Sequence, residues 1–164
     1  MTSSLRYWLT NTPEEVLTVP ISDRTAWQEL LGMTISSDEK PHFTIWLTQI
    51  EQIHQFVRQV PDLAWELMDY ATEPLSLIYA DAKPLGRNEA PTTEIAVRLL
   101  IQPELLKLLT TRQPWFSVRV EDISSKFSIE NWITKRIELK TKGKQLPRLK
   151  TMRIFDNGRF SFLP

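Results

Sequence analysis

Cysteine is absent from this 164-residue chain, which excludes disulfides, thiolate nucleophiles and cysteine-ligated metals. Histidine occurs only as His42 and His54, too few for a histidine-rich metal site, and no structural metal is expected. The four glycines (Gly32, Gly86, Gly143, Gly158) stand apart, so no glycine-rich loop exists to cradle phosphate. Charge of one sign is missing too. Lys plus Arg is 20 and Asp plus Glu is 20, which gives no general pull toward nucleic acid. No apolar run approaches membrane-spanning length, and the start MTSSLRYWLTNTPEE lacks the apolar core of a signal peptide. No membrane association is expected, and the expected location is the cytoplasm. Serine-hydrolase motifs, internal repeats and low-complexity segments are likewise missing.

What is present is ordinary globular material, 41% hydrophobic and 24% charged, long enough for one domain with a real core. Residues 1–14 are expected as an edge strand or docked tail around Tyr7, Trp8 and Leu9. EVLTVPIS (Glu15 to Ser22) is β-branched and ends on Pro20, as a strand with an irregular end would. Ser22 and Asp23 suit the N-cap of a helix over TAWQELLG (Thr25 to Gly32). FTIWL (Phe43 to Leu47) reads as a short strand buried on both faces. QIEQIHQFVRQV (Gln49 to Val60) and PDLAWELMDYA (Pro61 to Ala71) have helical spacing, the second aligning Leu63, Leu67 and Tyr70 beside Ala64 and Met68. Three strands follow: EPLSLIYA (Glu73 to Ala80), TEIAVRL (Thr93 to Leu99) and WFSVRVEDISS (Trp115 to Ser125). PELLKLLT (Pro103 to Thr110) is a helix before the third. FSIENWITK (Phe127 to Lys135) suits a short helix capped by Ser128, and RIELK (Arg136 to Lys140) a strand. MRIFDNGRFSFLP (Met152 to Pro164) reads as a hairpin turning at Asp156-Asn157-Gly158. Strands alternating with helices predict an α/β (α+β) fold, an open twisted mixed sheet with helices packed on it.

The order strand, helix, helix, Pro-Leu-led strand, Ala-Val-Arg strand, helix and Ile-Ser turn resembles the YrdC-like family, which makes threonylcarbamoyl-adenylate for tRNA modification. The resemblance runs from near Val16 to the C-terminus and is carried mainly by Phe43 to Ser125. It implies a single YrdC-like domain over residues 1–164, with a concave face for ATP, threonine and bicarbonate. The family's reactive positions are mostly altered here. Its Pro-Thr-Asp-Thr turn corresponds to Pro20, Ile21, Ser22 and Asp23. Its Lys-x-Arg pair before a Lys-Pro strand has no counterpart: Lys40-Pro41 remains, but no Lys or Arg occurs between Arg24 and Lys40. Its Ser-x-Asn before Ile-Ser-Gly is replaced by Val120, Glu121 and Asp122 before Ile123-Ser124-Ser125. Valine cannot donate a hydrogen bond, and two carboxylates repel a triphosphate. Its Pro-Ser-Thr retains Thr151 after Lys150. Arg98 in the Ala-Val-Arg strand stands unchanged.

The resemblance therefore implies a remnant cleft. Its ligand-binding residues are expected to be Arg98, Lys40 and Thr151, with Asp122 and Ser124 at the rim, no catalytic residue and no cofactor. An arginine fork suits phosphate or carboxylate, and Lys40 adds a point charge. Each of these residues also has a plainer reading. Arg98 can pair with Glu94 or another surface acid, Glu121 and Asp122 suit a solvated loop, and the two histidines suit packing or exposure. The basic run Lys140, Lys142, Lys144, Arg148, Lys150 and Arg153 fits solvent better than RNA phosphates. The six tryptophans, spread one per element, suit core filling better than a stacking platform. Three functions remain. The first is a pseudoenzyme of the YrdC-like type that binds a nucleotide, RNA or protein in the old cleft. The second is an active L-threonylcarbamoyladenylate synthase using substitute residues. The third is an unrelated α/β interaction domain. The missing cations favour the first, because a triphosphate's charge would go uncompensated.

Overall fold

The computed structural model describes residues 5–10, 15–35, 43–80, 82–84, 94–109, 112–139, 149–155 and 159–163. Alternating side chains on short β-branched segments build nine strands. They are β1 (Tyr7–Thr10), β2 (Val16–Pro20), β3 (Thr44–Leu47), β4 (Leu75–Tyr79), β5 (Ile95–Leu99), β6 (Trp115–Arg119), β7 (Lys135–Glu138), β8 (Lys150–Ile154) and β9 (Phe160–Leu163). They form one mixed sheet in the order β7-β1-β2-β6-β3-β5-β4-β8-β9. The pairs β1/β7, β3/β5 and β4/β8 are parallel and the others antiparallel. The α/β architecture expected from the sequence is the one observed.

Helices lie on both faces, unequally. Helix α1 (Arg24–Gly32) starts at Asp23, whose carboxylate accepts from the Ala26 N–H, and α2 is Asp62–Asp69. Both cover one face of the sheet, where Ile45, Leu77, Val97 and Val118 meet Trp27, Leu30, Ala64 and Met68 in the main core. Each fully buried aliphatic side chain there contributes roughly 1.5–3 kcal/mol. On the opposite face α3 (Pro103–Leu108) sets Leu105 against Leu9, Val16, Trp46 and Trp115 in a smaller apolar cluster. A short α4 (Ile129–Trp132) precedes β7.

Three expectations about the elements are corrected. The N-terminal segment is not an edge strand: β1 lies between β2 and β7, and the parallel strand β7 takes the edge. The helix expected over Gln49–Val60 is only a 3-10 turn, Ile50–Gln55. There the Gln52 side chain accepts from the Thr48 and Gln49 backbone N–H groups, and Val57, whose N–H still reaches the Ile53 carbonyl at 3.1 Å, goes on to bridge Ala82. On α2, Ala64 and Met68 are buried in the core, Trp65 and Leu67 pack against it half-buried, and Tyr70 is exposed. The turn expected at residues 156–158 lies outside the described residues, although β8 and β9 do pair antiparallel on either side of it.

Candidate functional site

Strand register sorts the side chains by face, because residues directly opposite each other in a ladder point the same way. Thr18 is opposite Ser117, and Ser117 opposite Thr44. One step along the strands, Trp46 is opposite Arg98, Arg98 opposite Ser76, and Ser76 opposite Thr151. All of these lie on the face turned away from α1 and α2. The middle of that face is therefore polar: hydroxyls on five strands share it with one arginine. Thr18, Ser76, Arg98 and Ser117 are nonetheless buried.

Arg98 is 3% exposed. Its Nη2 donates to Gln102 Oε1 at 2.7 Å, and its guanidinium carbon lies 5.1 Å from the Trp46 ring centre. A planar cation over an indole face is attracted by the ring quadrupole, more strongly where water is excluded. Glu94 is not its partner: that carboxylate holds Arg153, with Nε to Oε2 at 2.7 Å. Arg98 opens onto a depression shared with Thr44, Trp46, Ser76, Ser117, Arg119 and Asp122. The depression has a cavity volume of about 30 Å³, enough for a water or two and far below the ~300–1,000 Å³ of ordinary small-molecule sites.

The wall beside it is an ion-pair cluster. Arg119 Nε donates to Asp122 Oδ2 at 2.9 Å and its Nη1 lies 3.1 Å from Glu121 Oε1. The segment Val120–Asp122 is a 3-10 turn. Glu121 stays largely exposed, as a solvated loop residue would, while Asp122 is half-buried, and one arginine at the end of β6 pairs with both carboxylates.

Of the five candidate residues, Arg98 and Asp122 border the same depression. Thr151 lies on the same face of the sheet, two strands from Arg98 through Ser76. Ser124 is elsewhere. Its backbone N–H donates to the Met33 carbonyl beyond the end of α1, and its hydroxyl lies 3.4 Å from the Lys126 nitrogen. Lys40 lies outside the described residues. The sequence reading missed Arg119, Ser76 and Ser117. The alternation Trp115, Ser117, Arg119 along WFSVRV is the signal that marks Ser117 and Arg119, since those three share a face, and Ser76 is found through its register with Arg98.

The basic run also changes character. Lys150 pairs with Glu73 at 3.2 Å and Arg153 with Glu94 at 2.7 Å. Its two described cations are therefore already matched by carboxylates, and Lys140 to Arg148 lie outside the described residues. No group of His, Asp and Glu able to hold a metal ion occurs among the described residues. No helix there is long and apolar enough to cross a membrane.

No protein-family model matches the chain, and no curated protein matches it by sequence. Solved structures do. Two structures of Pyrococcus abyssi (P. abyssi) Sua5, one complexed with L-threonine, superpose at TM-scores of 0.63 and 0.61 with 14% identity, over 91% and 92% of this chain. E. coli YciO superposes at 0.57 with 19% identity, covering 94% of this chain and 80% of its own. The fold is YrdC-like. Full-length HypF, in a phosphate- and nucleotide-bound form, superposes at 0.60 with 14% identity over 97% of this chain. This chain spans about half the length of the Sua5 chains (49% and 47%) and 26% of HypF.

Proposed function

We propose that this chain is a divergent YrdC-like domain that makes no threonylcarbamoyl-adenylate and binds a small ligand on the polar face around Arg98. The ligand class is one small anionic group, a carboxylate or a single phosphate, presented by a small molecule or a polar protein segment. It is seated at the mouth of the depression, whose volume of about 30 Å³ does not admit a whole small molecule. One observation carries the reading: Arg98, the cleft arginine that survives from the family pattern, is at the wall of a depression whose other charged residues are the Arg119–Asp122 pair. A guanidinium fork beside hydroxyls suits one anionic group. A nearby carboxylate opposes a triphosphate, and Arg119 is committed to that carboxylate. The lack of any Lys or Arg between Arg24 and Lys40 adds to the same side.

The active-synthase alternative is tested directly. Purified protein with ATP, L-threonine and bicarbonate is expected to release no pyrophosphate above a no-enzyme control. Threonine-dependent release would overturn the proposal. For the ligand class, calorimetric titration compares inorganic phosphate, small carboxylates and ATP. Phosphate and the carboxylates should bind, ATP should bind no more tightly, and Arg98→Met should abolish the heat while leaving the fold intact by circular dichroism. ATP binding that is strong and independent of Arg98 would refute the ligand assignment.

A further inference from the structure

The helix layer stops short of the β9 end of the sheet. On the face covered by α1 and α2, the register places Phe162 beside Met152 and Phe160 beside Ile154. Met152 and Ile154 are buried, whereas Phe160 is 49% and Phe162 61% exposed. Tyr70, at the end of α2, is 82% exposed. Between α2 and β9 runs a groove of about 440 Å³ bordered by Leu63, Leu67, Tyr70, Met152 and Phe162. The opposite sheet edge is different: β7 reads Lys135-Arg136-Ile137-Glu138, a charged strand that discourages strand or helix docking. The apolar stripe therefore belongs to one end of the sheet only.

The charge beside the groove indicates what would fill it. Asp62, Glu66 and Asp69 are spaced four and three residues apart along α2, so they form one rail next to the stripe Leu63, Leu67 and Tyr70. Among the described residues none of the three is in an ion pair, while the groove's lysine, Lys150, is already paired with Glu73 at 3.2 Å. A second copy of the chain docked face to face would bring two acidic rails together, which is unfavourable. An extra helix lying beside α2 over β8 and β9 would instead complete the layer, as sheets in this class require. We propose that the α2–β9 groove docks an amphipathic helix of a partner protein, its apolar side against Tyr70 and Phe162 and its flank of Lys or Arg along the Asp62–Glu66–Asp69 rail. This surface lies on the opposite side of the sheet from Arg98 and does not depend on the ligand reading above.

The probe is a synthetic amphipathic peptide of about 18 residues, with leucines at helical spacing and lysines on the polar face, followed by fluorescence anisotropy. A twin carries glutamate for lysine, and a second twin carries a central proline. The lysine peptide should bind about ten-fold or more tightly than either twin, since charge match and helix are both required. Glu66→Lys with Asp69→Lys alters exposed positions only, and it should reverse the preference toward the glutamate peptide. Tyr70→Ser should weaken both. Equal binding of the lysine and glutamate peptides, or of the proline twin, overturns the proposal. So does a concentration-dependent dimer, seen by sedimentation, that Phe162→Glu abolishes, because it makes a second copy the occupant.

Discussion

Replacing Thr18 with valine should cost more than removing the hydroxyl it faces. Thr18 and Ser117 are fully buried, their hydroxyl oxygens lie 2.7 Å apart, and Thr18 can also donate to the Phe116 carbonyl at 3.2 Å. Thr18→Val keeps the volume but strands the Ser117 hydroxyl, at a cost of about 2 kcal/mol for a buried polar group left unsatisfied. Ser117→Ala leaves Thr18 with the Phe116 carbonyl, so about 1 kcal/mol is expected. The double variant removes both hydroxyls and strands neither. It should cost about 1 kcal/mol or less rather than the additive ~3, a coupling of about 2 kcal/mol between touching groups. Urea unfolding of the four proteins measures this, and in thermal melts each kcal/mol corresponds to roughly 2–4 °C for a chain of this size. Additive single costs, or a Ser117→Ala variant worse than Thr18→Val, would refute the reasoning that this hydroxyl pair is mutually satisfied across the β2–β6 ladder.

Burial raises the Tyr79 phenol above its ordinary value, and its hydroxyl donates only to the Met68 sulfur at 3.6 Å. The folded state holds the Tyr79 proton more tightly than the unfolded chain, whose phenol ionises near pH ~10. Its stabilising contribution is therefore complete below that pH and is lost as pH rises further, so alkaline unfolding should shift upward in Tyr79→Phe. Because a thioether is a weak acceptor, that variant should be within about 1 kcal/mol of the parent near neutral pH. Asp23→Ala removes the carboxylate that receives the Ala26 N–H at 3.2 Å, and chemical denaturation should show a loss of about 1 kcal/mol.

The parts of the molecule legible in its sequence are those fixed by local pattern. Short β-branched runs became strands, and Asp23 became a helix cap. The order of strands around Ala-Val-Arg also indicated which face Arg98 would take, since alternation along β5 sends Val97 to the core and Arg98 to the other side. Where periodicity failed, long-range pairing was the reason. Ile50, Ile53 and Val57 have helical spacing, but Val57 is needed at Ala82, and Lys83 donates its N–H to the Phe56 carbonyl at 2.7 Å. On α2 the sequence sets the row Leu63, Leu67 and Tyr70 beside Ala64 and Met68 without deciding which is buried. The core takes Ala64 and Met68 fully and Leu67 in part, and no local pattern reveals that the sheet continues only two strands beyond β4. Arg119 was hidden for a related reason: its significance lies in reaching forward to Glu121 and Asp122, which a tight turn makes possible.

The seat of β1 between β2 and β7 has a consequence for how the protein is made. The β1–β2 hairpin is local and can close while the chain is still short. Its outer edge, however, waits for a partner 128 residues later, the separation of the Arg6–Thr134 backbone contact that opens the β1/β7 ladder. The inner edge waits nearly as long, since Thr18 meets Ser117 at a separation of 99. At typical synthesis rates of about 5–20 residues per second, the first hairpin emerges with both flanks bare for several seconds or more. Closing such distant ladders late is slow and exposes strand edges meanwhile. The β1–β2 hairpin is thus a nascent-chain liability that ends only when first β6 and then β7 have left the ribosome.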